Sequence, residues 1–140
     1  MQTTFWIAVG GALGSVARYW LTVAWMPYSQ TVPWGTIVIN VLGSFAISFF
    51  GFLTMESGRY PLPEIARLFF TAGICGGFTT FSAFSMQTLI LLRDGSPGRA
   101  LVNVAASVIL CLIAVSFGYI SASYINTRAQ SVAHSSLEEA

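Results

Sequence analysis

Four apolar stretches, each long enough to cross a bilayer, alternate with short polar segments along the chain. They cover residues 4–26, 34–55, 65–92 and 98–124. A hydrocarbon core of about 30 Å requires roughly 20 helical residues, so each stretch reads as a membrane-spanning helix. The segments between them carry turn and loop residues. Pro27, Tyr28, Ser29, Gln30 and Pro33 follow the first span. Arg59, Pro61 and Pro63 lie in the loop 56–64, and Arg93-Asp94-Gly95-Ser96-Pro97 forms a tight turn before the fourth. Trp34 suits a headgroup belt. The pattern predicts an all-α integral membrane fold, with one four-helix domain over residues 1–126. Residues 127–140 are polar and rich in small side chains, and are expected to form a disordered tail.

Within the apolar stretches, the polar and small residues fall into stripes at helical spacing. In the first span Gly10, Gly14 and Arg18 recur every four residues. Gly-x-x-x-Gly lets another backbone approach closely, and Arg18 ends that contact face. Arg18 admits two readings: a side chain snorkelling to the interface, or a charge lining a polar vestibule. In the second span Thr36, Asn40, Ser44 and Ser48 share a face. Ser44 and Ser48 suit hydrogen bonding between helices. The amide of Asn40 has two donor hydrogens and an acceptor, so it must meet either a neighbouring helix or a solute. Asn103, Ser107 and Cys111 make a similar stripe in the fourth span.

The third span differs. Its middle reads Gly73-Ile74-Cys75-Gly76-Gly77-Phe78-Thr79-Thr80-Phe81-Ser82-Ala83-Phe84-Ser85. Each glycine costs a helix about 1 kcal/mol relative to alanine, so the run predicts a helix broken at its centre with bare backbone groups. In a membrane such backbone is tolerated where it is buried in protein or lines a cavity. Phe81 and Phe84 follow on one helical face.

Composition supports the membrane reading. The chain of 140 residues is 8% charged, far below the roughly 25% of soluble domains, and its mean hydropathy is +0.73. A net charge of +1 and the absence of lysine argue against a nucleic-acid face. No acidic residue lies within a span, which argues against proton relay and acid–base catalysis. Cys75 and Cys111 sit in apolar segments and read as small buried side chains. His134 stands alone in the tail. The N-terminus lacks a basic leader region and reads as the first span. What remains is hydroxyls, amides, one arginine and aromatic edges. That set suits a small anion, since phenylalanine rings carry an electropositive rim, while the carbonyls of the break could hold a cation.

Arginine placement leaves orientation nearly undecided. Arg59, Arg67 and Arg128 fall on one side, and Arg93 and Arg99 on the other with Arg18 nearby. With so little bias, dual topology becomes a candidate, with two copies paired antiparallel about an axis in the membrane plane.

From Gly10 to about Tyr119 the chain resembles the CrcB/Fluc fluoride channel family. Three ordered motifs carry the resemblance: Gly10-Gly11-x-x-Gly14-x-x-x-Arg18-Tyr19, then Gly35-Thr36-x-x-x-Asn40-x-x-Gly43-Ser44, and the specific Gly73-x-x-Gly76-Gly77-x-Thr79-Thr80-Phe81-Ser82-x-Phe84-Ser85. The resemblance implies a dual-topology antiparallel homodimer with two fluoride pores in the bacterial inner (plasma) membrane. It implies passive export of cytoplasmic fluoride to relieve its toxicity. Phe81 and Phe84 look like the phenylalanines flanking the fluoride sites, Asn40 like the pore asparagine and Ser107 like the pore serine. Thr36 and Ser82 resemble members of a polar track, and Arg18 the arginine near the vestibule. Asn103 joins the pore set at a position where some members have tyrosine. The backbone carbonyls of Gly76 and Thr79, from both subunits, match those holding a structural sodium ion (Na+). Ala83, Gln87 and Cys111 depart from residues that are often threonine, glutamate and serine. Competing readings are a channel for another small anion and a non-transporting membrane assembly protein. A drug–proton antiporter would need a membrane carboxylate that the spans lack.

Overall fold

The computed structural model describes residues 1–138, with side chains through Arg128. α1 (Gln2–Trp25) passes through a 3-10 turn (Met26–Tyr28) to α2 (Trp34–Leu53). The third crossing is composite: α3 (Glu64–Leu68), a π-helical segment (Phe69–Cys75), α4 (Gly76–Phe78) and α5 (Phe81–Arg93). α6 (Pro97–Glu138) completes the chain, and the described residues contain no strand. Four helical stretches are long and apolar enough to cross a membrane, namely Gln2–Tyr28, Trp34–Leu53, Glu64–Arg93 and Pro97–Arg128. The protein is a multi-pass membrane protein. The α6 backbone continues past Asn126 through most of the segment expected as a tail. The side chains of that segment beyond Arg128, His134 among them, lie outside the described residues.

Turn chemistry separates the crossings. Gly95 takes a positive φ of 67° after α5. The Gly95 and Ser96 amides then donate to Leu92 and Leu91 carbonyls at 3.1 and 2.9 Å, closing the helix end. Pro97 opens α6, where its missing N–H costs nothing. The loop after α2 folds back on itself through Tyr60 N–H to Leu53 O and Leu62 N–H to Thr54 O. Asn126 fastens this loop to α6. Its Oδ1 accepts from Arg59 N–H at 2.7 Å, and its Nδ2 donates to Phe52 O at 3.0 Å.

In lipid, helices associate through close packing and hydrogen bonds rather than by escaping water. Two seams do this work. α1 lies against the π-helical segment and α4. A Cβ added to Gly14 would overlap Ile74 O and stand 2.8 Å from Phe78 N. One added to Gly10 would stand 2.5 Å from Phe69 O. A Cβ on Gly77 would overlap Gly11 O. Glycine is therefore required on both helices, because backbone meets backbone. The second seam joins α2 and α6, where a Cβ on Gly118 would stand 2.7 Å from Phe45 O. Ser48 Oγ donates to Val115 O there at 2.8 Å, as helix-to-helix glue. Phe45 stacks on Phe49 and tilts against Phe117 beside it.

Candidate functional site

Between α4 and α5 two residues leave the helical backbone. Thr79 has φ −82° and ψ 158°, and Thr80 has φ −152° and ψ 108°. Their neighbours' hydrogen bonds are redistributed. In an unbroken helix the Thr80 N–H would serve Gly76 O and the Ala83 N–H would serve Thr79 O. Instead Thr80 N–H donates to Asn40 Oδ1 at 2.8 Å, and Ala83 N–H donates to Thr80 Oγ1 at 3.1 Å, an N-cap for α5. Asn40 completes the pairing by donating Nδ2 to Thr80 O at 3.2 Å. One side chain of α2 thus meets both backbone groups of Thr80.

Gly77 O would ordinarily accept from Phe81 N–H. It accepts from Arg18 Nε at 2.9 Å and, at 3.4 Å, from Ser15 Oγ. This charge-assisted bond holds the Arg18 guanidinium against the end of α4. The Gly14–Ile74 seam brings α1 close enough for it. Neither reading of Arg18 from the sequence anticipated this carbonyl partner.

A cavity of about 380 Å³ opens beside Thr79 and Thr80. Asn40 and Ser44 of α2 line it, with Phe81 and Phe84 of α5 and Ser107 and Cys111 of α6. Cys75, from the π-helical segment, joins them. The Phe81 and Phe84 rings sit 5.2 Å apart at 48°. Ser107 is 7% exposed, and its Oγ is buried with no hydrogen-bond partner. A hydroxyl left so costs about 1–3 kcal/mol. Asn40 spends its acceptor and one amide hydrogen on Thr80, which leaves its second amide hydrogen for the same space.

Other residues singled out from the sequence lie elsewhere. Thr36 is buried and lines a second cavity of about 360 Å³, with Gln87 and Asp94, at the α1–α2 loop end of the bundle. Ser82 is exposed, and its Oγ meets Thr80 Oγ1 at 3.2 Å. Asn103 is fully buried and lines neither of these cavities. It donates Nδ2 to Thr88 Oγ1 at 2.9 Å, and Thr88 Oγ1 donates to Phe84 O at 2.8 Å. Its Oδ1 is buried without a partner, as is Gln87 Oε1. Gly76 is exposed on the protomer surface, and Phe81 is 78% exposed. Thr80, Ser15 and Thr88 were missed as positioning residues. For Thr80 a signal existed, because threonine directly before an apolar helical run is a cap.

No group of three or more His, Cys, Asp or Glu side chains converges among the described residues. A metal near α4 would therefore have to rely on neutral oxygens. Gly76 O and Thr79 O, each deprived of its usual helix donor, are of that kind, and hard monovalent or divalent cations accept such ligands.

Comparison with known proteins identifies the family. The sequence model described as "CrcB-like protein, Camphor Resistance (CrcB)" matches residues 5–119. The chain is 58% identical over 134 residues to a protein of Gluconobacter oxydans named fluoride-specific ion channel FluC, covering 95% of this chain and 93% of that one. A Methylobacterium radiotolerans protein of the same name is 52% identical over 137 residues, with 98% and 96% covered. One from Opitutus terrae is 52% identical over 128 residues, with 91% and 97% covered. With the match running through all four crossings and both glycine seams, the chain belongs to the CrcB-like family.

Proposed function

We propose that this chain forms a passive, fluoride-selective channel that exports cytoplasmic fluoride, working as an antiparallel homodimer in a bacterial inner membrane. The observation that carries the reading is the cavity beside Thr80. Its wall carries the second amide hydrogen of Asn40, a donor not spent on Thr80, and two phenylalanine rings, and the unpartnered Ser107 hydroxyl is buried behind it. A small anion leaving water needs donors to replace its hydration, because an unpaired buried charge costs several kcal/mol or more. Hydroxyl, amide and ring edge supply them without a fixed positive charge that would trap the ion. The chemistry alone suits any small anion. The choice of fluoride rests on the name the relatives carry.

The exposed surface of the chain supports this assembly. Phe81 stands 78% exposed, and Gly76 is exposed as well. A second copy placed antiparallel would cover both, and the near-equal arginine counts on the two sides permit both insertions. The extended pair Thr79–Thr80 then acts as a functional break in the third span. Gly76 O and Thr79 O of each copy would hold a sodium ion between the subunits. When bound, it supplies positive charge that offsets converging carbonyl dipoles. The fit is carried by the donor set: two freed carbonyls per chain and no carboxylate to bias the site toward divalent ions. Arg18, bonded to Gly77 O, keeps α4 seated on α1 and adds positive potential near the break.

Asn40, Phe81, Phe84 and Ser107 are the residues proposed to meet fluoride. Thr36 is proposed to serve the second cavity, at one mouth. Ser82 supports the Thr80 cap, and Asn103 steadies Phe84 through Thr88. The deciding experiment is anion efflux from liposomes holding the purified protein, with potassium shunted by an ionophore. Rapid fluoride release without chloride release is expected. Release of both anions would refute the selectivity, and release of neither from folded dimer would favour the assembly-protein reading.

A further inference from the structure

Neutral carbonyl oxygens at the end of α4 accept monovalent and divalent cations alike, so something else has to choose between them. Gly76 and Gly77 are neighbours with opposite surroundings. A Cβ on Gly77 would overlap Gly11 O of α1, whereas one on Gly76 would meet nothing nearer than Thr71 O at 3.9 Å. Gly77 is wedged against α1, and Gly76 is open and exposed. Their carbonyls differ in the same way. Gly77 O accepts from Arg18 Nε at 2.9 Å and from Ser15 Oγ at 3.4 Å. Gly76 O has lost its usual helix donor, because Thr80 N–H serves Asn40 Oδ1 instead. A guanidinium charge therefore sits one peptide unit from a carbonyl left for a cation. Backbone contact along the glycine seam fixes α1 beside it, and the Arg18 Cα with it.

We propose that Arg18 sets the charge selectivity of the cation site at the break, admitting a monovalent ion and excluding divalent ones. This role rests on the sodium reading of Gly76 O and Thr79 O. A helix C-terminus favours a cation near its last turn, and Arg18 already supplies one to α4. A second cation there meets repulsion in proportion to its own charge. At about 8 Å and an effective dielectric of about 20, one guanidinium lowers the affinity for a monovalent cation by roughly thirtyfold, and for a divalent cation by roughly a thousandfold, because the exponent doubles. With two copies the ion would lie near two such charges. A divalent ion also loses more on leaving water, and no acidic residue lies between Glu64 and Asp94 to offset that. Arg18 further withholds Gly77 O as a ligand, where a calcium ion takes about six to eight oxygens.

The test uses the purified full-length protein in detergent, in N-methylglucamine buffer at constant ionic strength. Sodium chloride or calcium chloride is titrated in, and the melting temperature is followed by intrinsic fluorescence. In the wild type, sodium should raise the melting temperature, and calcium should not at the same concentrations. Arg18→Gln isolates the charge. Its Nε2 lies as many bonds from the backbone as Arg18 Nε, so it still reaches Gly77 O. In that variant the sodium concentration giving half the effect should fall at least about tenfold. The calcium value should fall at least about a hundredfold, so that calcium now stabilises. Arg18→Lys returns the charge and should return the preference. A wild type stabilised by calcium as well as by sodium would overturn the proposal, and that outcome needs no variant to fold. So would Arg18→Gln with the wild-type preference, or with both ions weakened alike, as expected of an arginine that only braces α4. No effect of either ion on any of the three proteins would refute the sodium reading and the proposal with it. Fluoride efflux from liposomes of the same preparation reports separately on the channel.

Discussion

Replacing Asn40 with aspartate separates the two jobs its amide performs. The side chain accepts from Thr80 N–H at 2.8 Å and donates to Thr80 O at 3.2 Å. Aspartate keeps the first bond. It loses the second and sets a carboxylate oxygen against a carbonyl. One lost hydrogen bond with this repulsion should cost about 1–3 kcal/mol of stability, which leaves the protein folded. The effect on an anion is larger. With about 5 Å between the carboxylate and an anion in the cavity, and an effective dielectric of about 20, repulsion is about 3 kcal/mol. That is on the order of a hundredfold in occupancy, and efflux should fall by at least as much. Asn40→Ala sharpens the contrast. It leaves both backbone groups of Thr80 open and should cost about 2–4 kcal/mol, but it introduces no charge. Alanine should therefore be the less stable variant and aspartate the less conductive one. Both are measured in one set of preparations, by thermal unfolding in detergent and fluoride efflux from liposomes. Wild-type efflux from Asn40→Asp would refute the reasoning and return Asn40 to a purely structural role.

Three further outcomes are expected. Ser107→Ala removes a hydroxyl that has no partner, so stability should hold or rise by up to about 1 kcal/mol while fluoride efflux drops; a destabilised but fully conducting variant would contradict this. Phe84→Ile should abolish or strongly reduce efflux in a protein that still folds and elutes like the parent, because it removes the ring edge and keeps the apolar bulk. Gly14→Ala drives a methyl into the Ile74 carbonyl and towards Phe78 N. The clash should cost about 1–3 kcal/mol, more than the roughly 1 kcal/mol that alanine gains as a helix former, and a raised melting temperature would count against the seam.

The four crossings were legible because apolar length and turn residues are local signals. Trp34 opens α2 in the structure as in the sequence pattern, and Arg93 closes α5 at the polar turn. One cavity gathers Asn40, Phe81, Phe84 and Ser107, a grouping that came from the resemblance to the channel family, since helical spacing gives only the stripe on each span. What escaped the sequence are relations between helices. The glycine run pointed to bare backbone at the glycines. Yet Gly73 and Gly77 lie in helical backbone and serve the approach of α1, while the extended residues are Thr79 and Thr80. Propensity cannot tell a glycine needed for contact from one needed for a bend. Thr36 shares a helical stripe with Asn40 but sits one turn further toward the bundle end, where another cavity begins. The π-helical segment Phe69–Cys75 left no mark in the sequence, because a hydrogen bond that spans one extra residue needs no special side chain.

The clasp made by Asn126 sets an order of events during synthesis. The chain leaves the ribosome from its N-terminus, and Asn126 is made 67 residues after Arg59, whose amide it accepts. Until the fourth crossing exists, the loop carrying Arg59 has no anchor on α6, and the α2 end at Phe52 waits for the same side chain. Two hairpins can therefore enter the bilayer while the loop between them is still loose. The last fastening between the α2 end and α6 therefore closes only after all four crossings have been made.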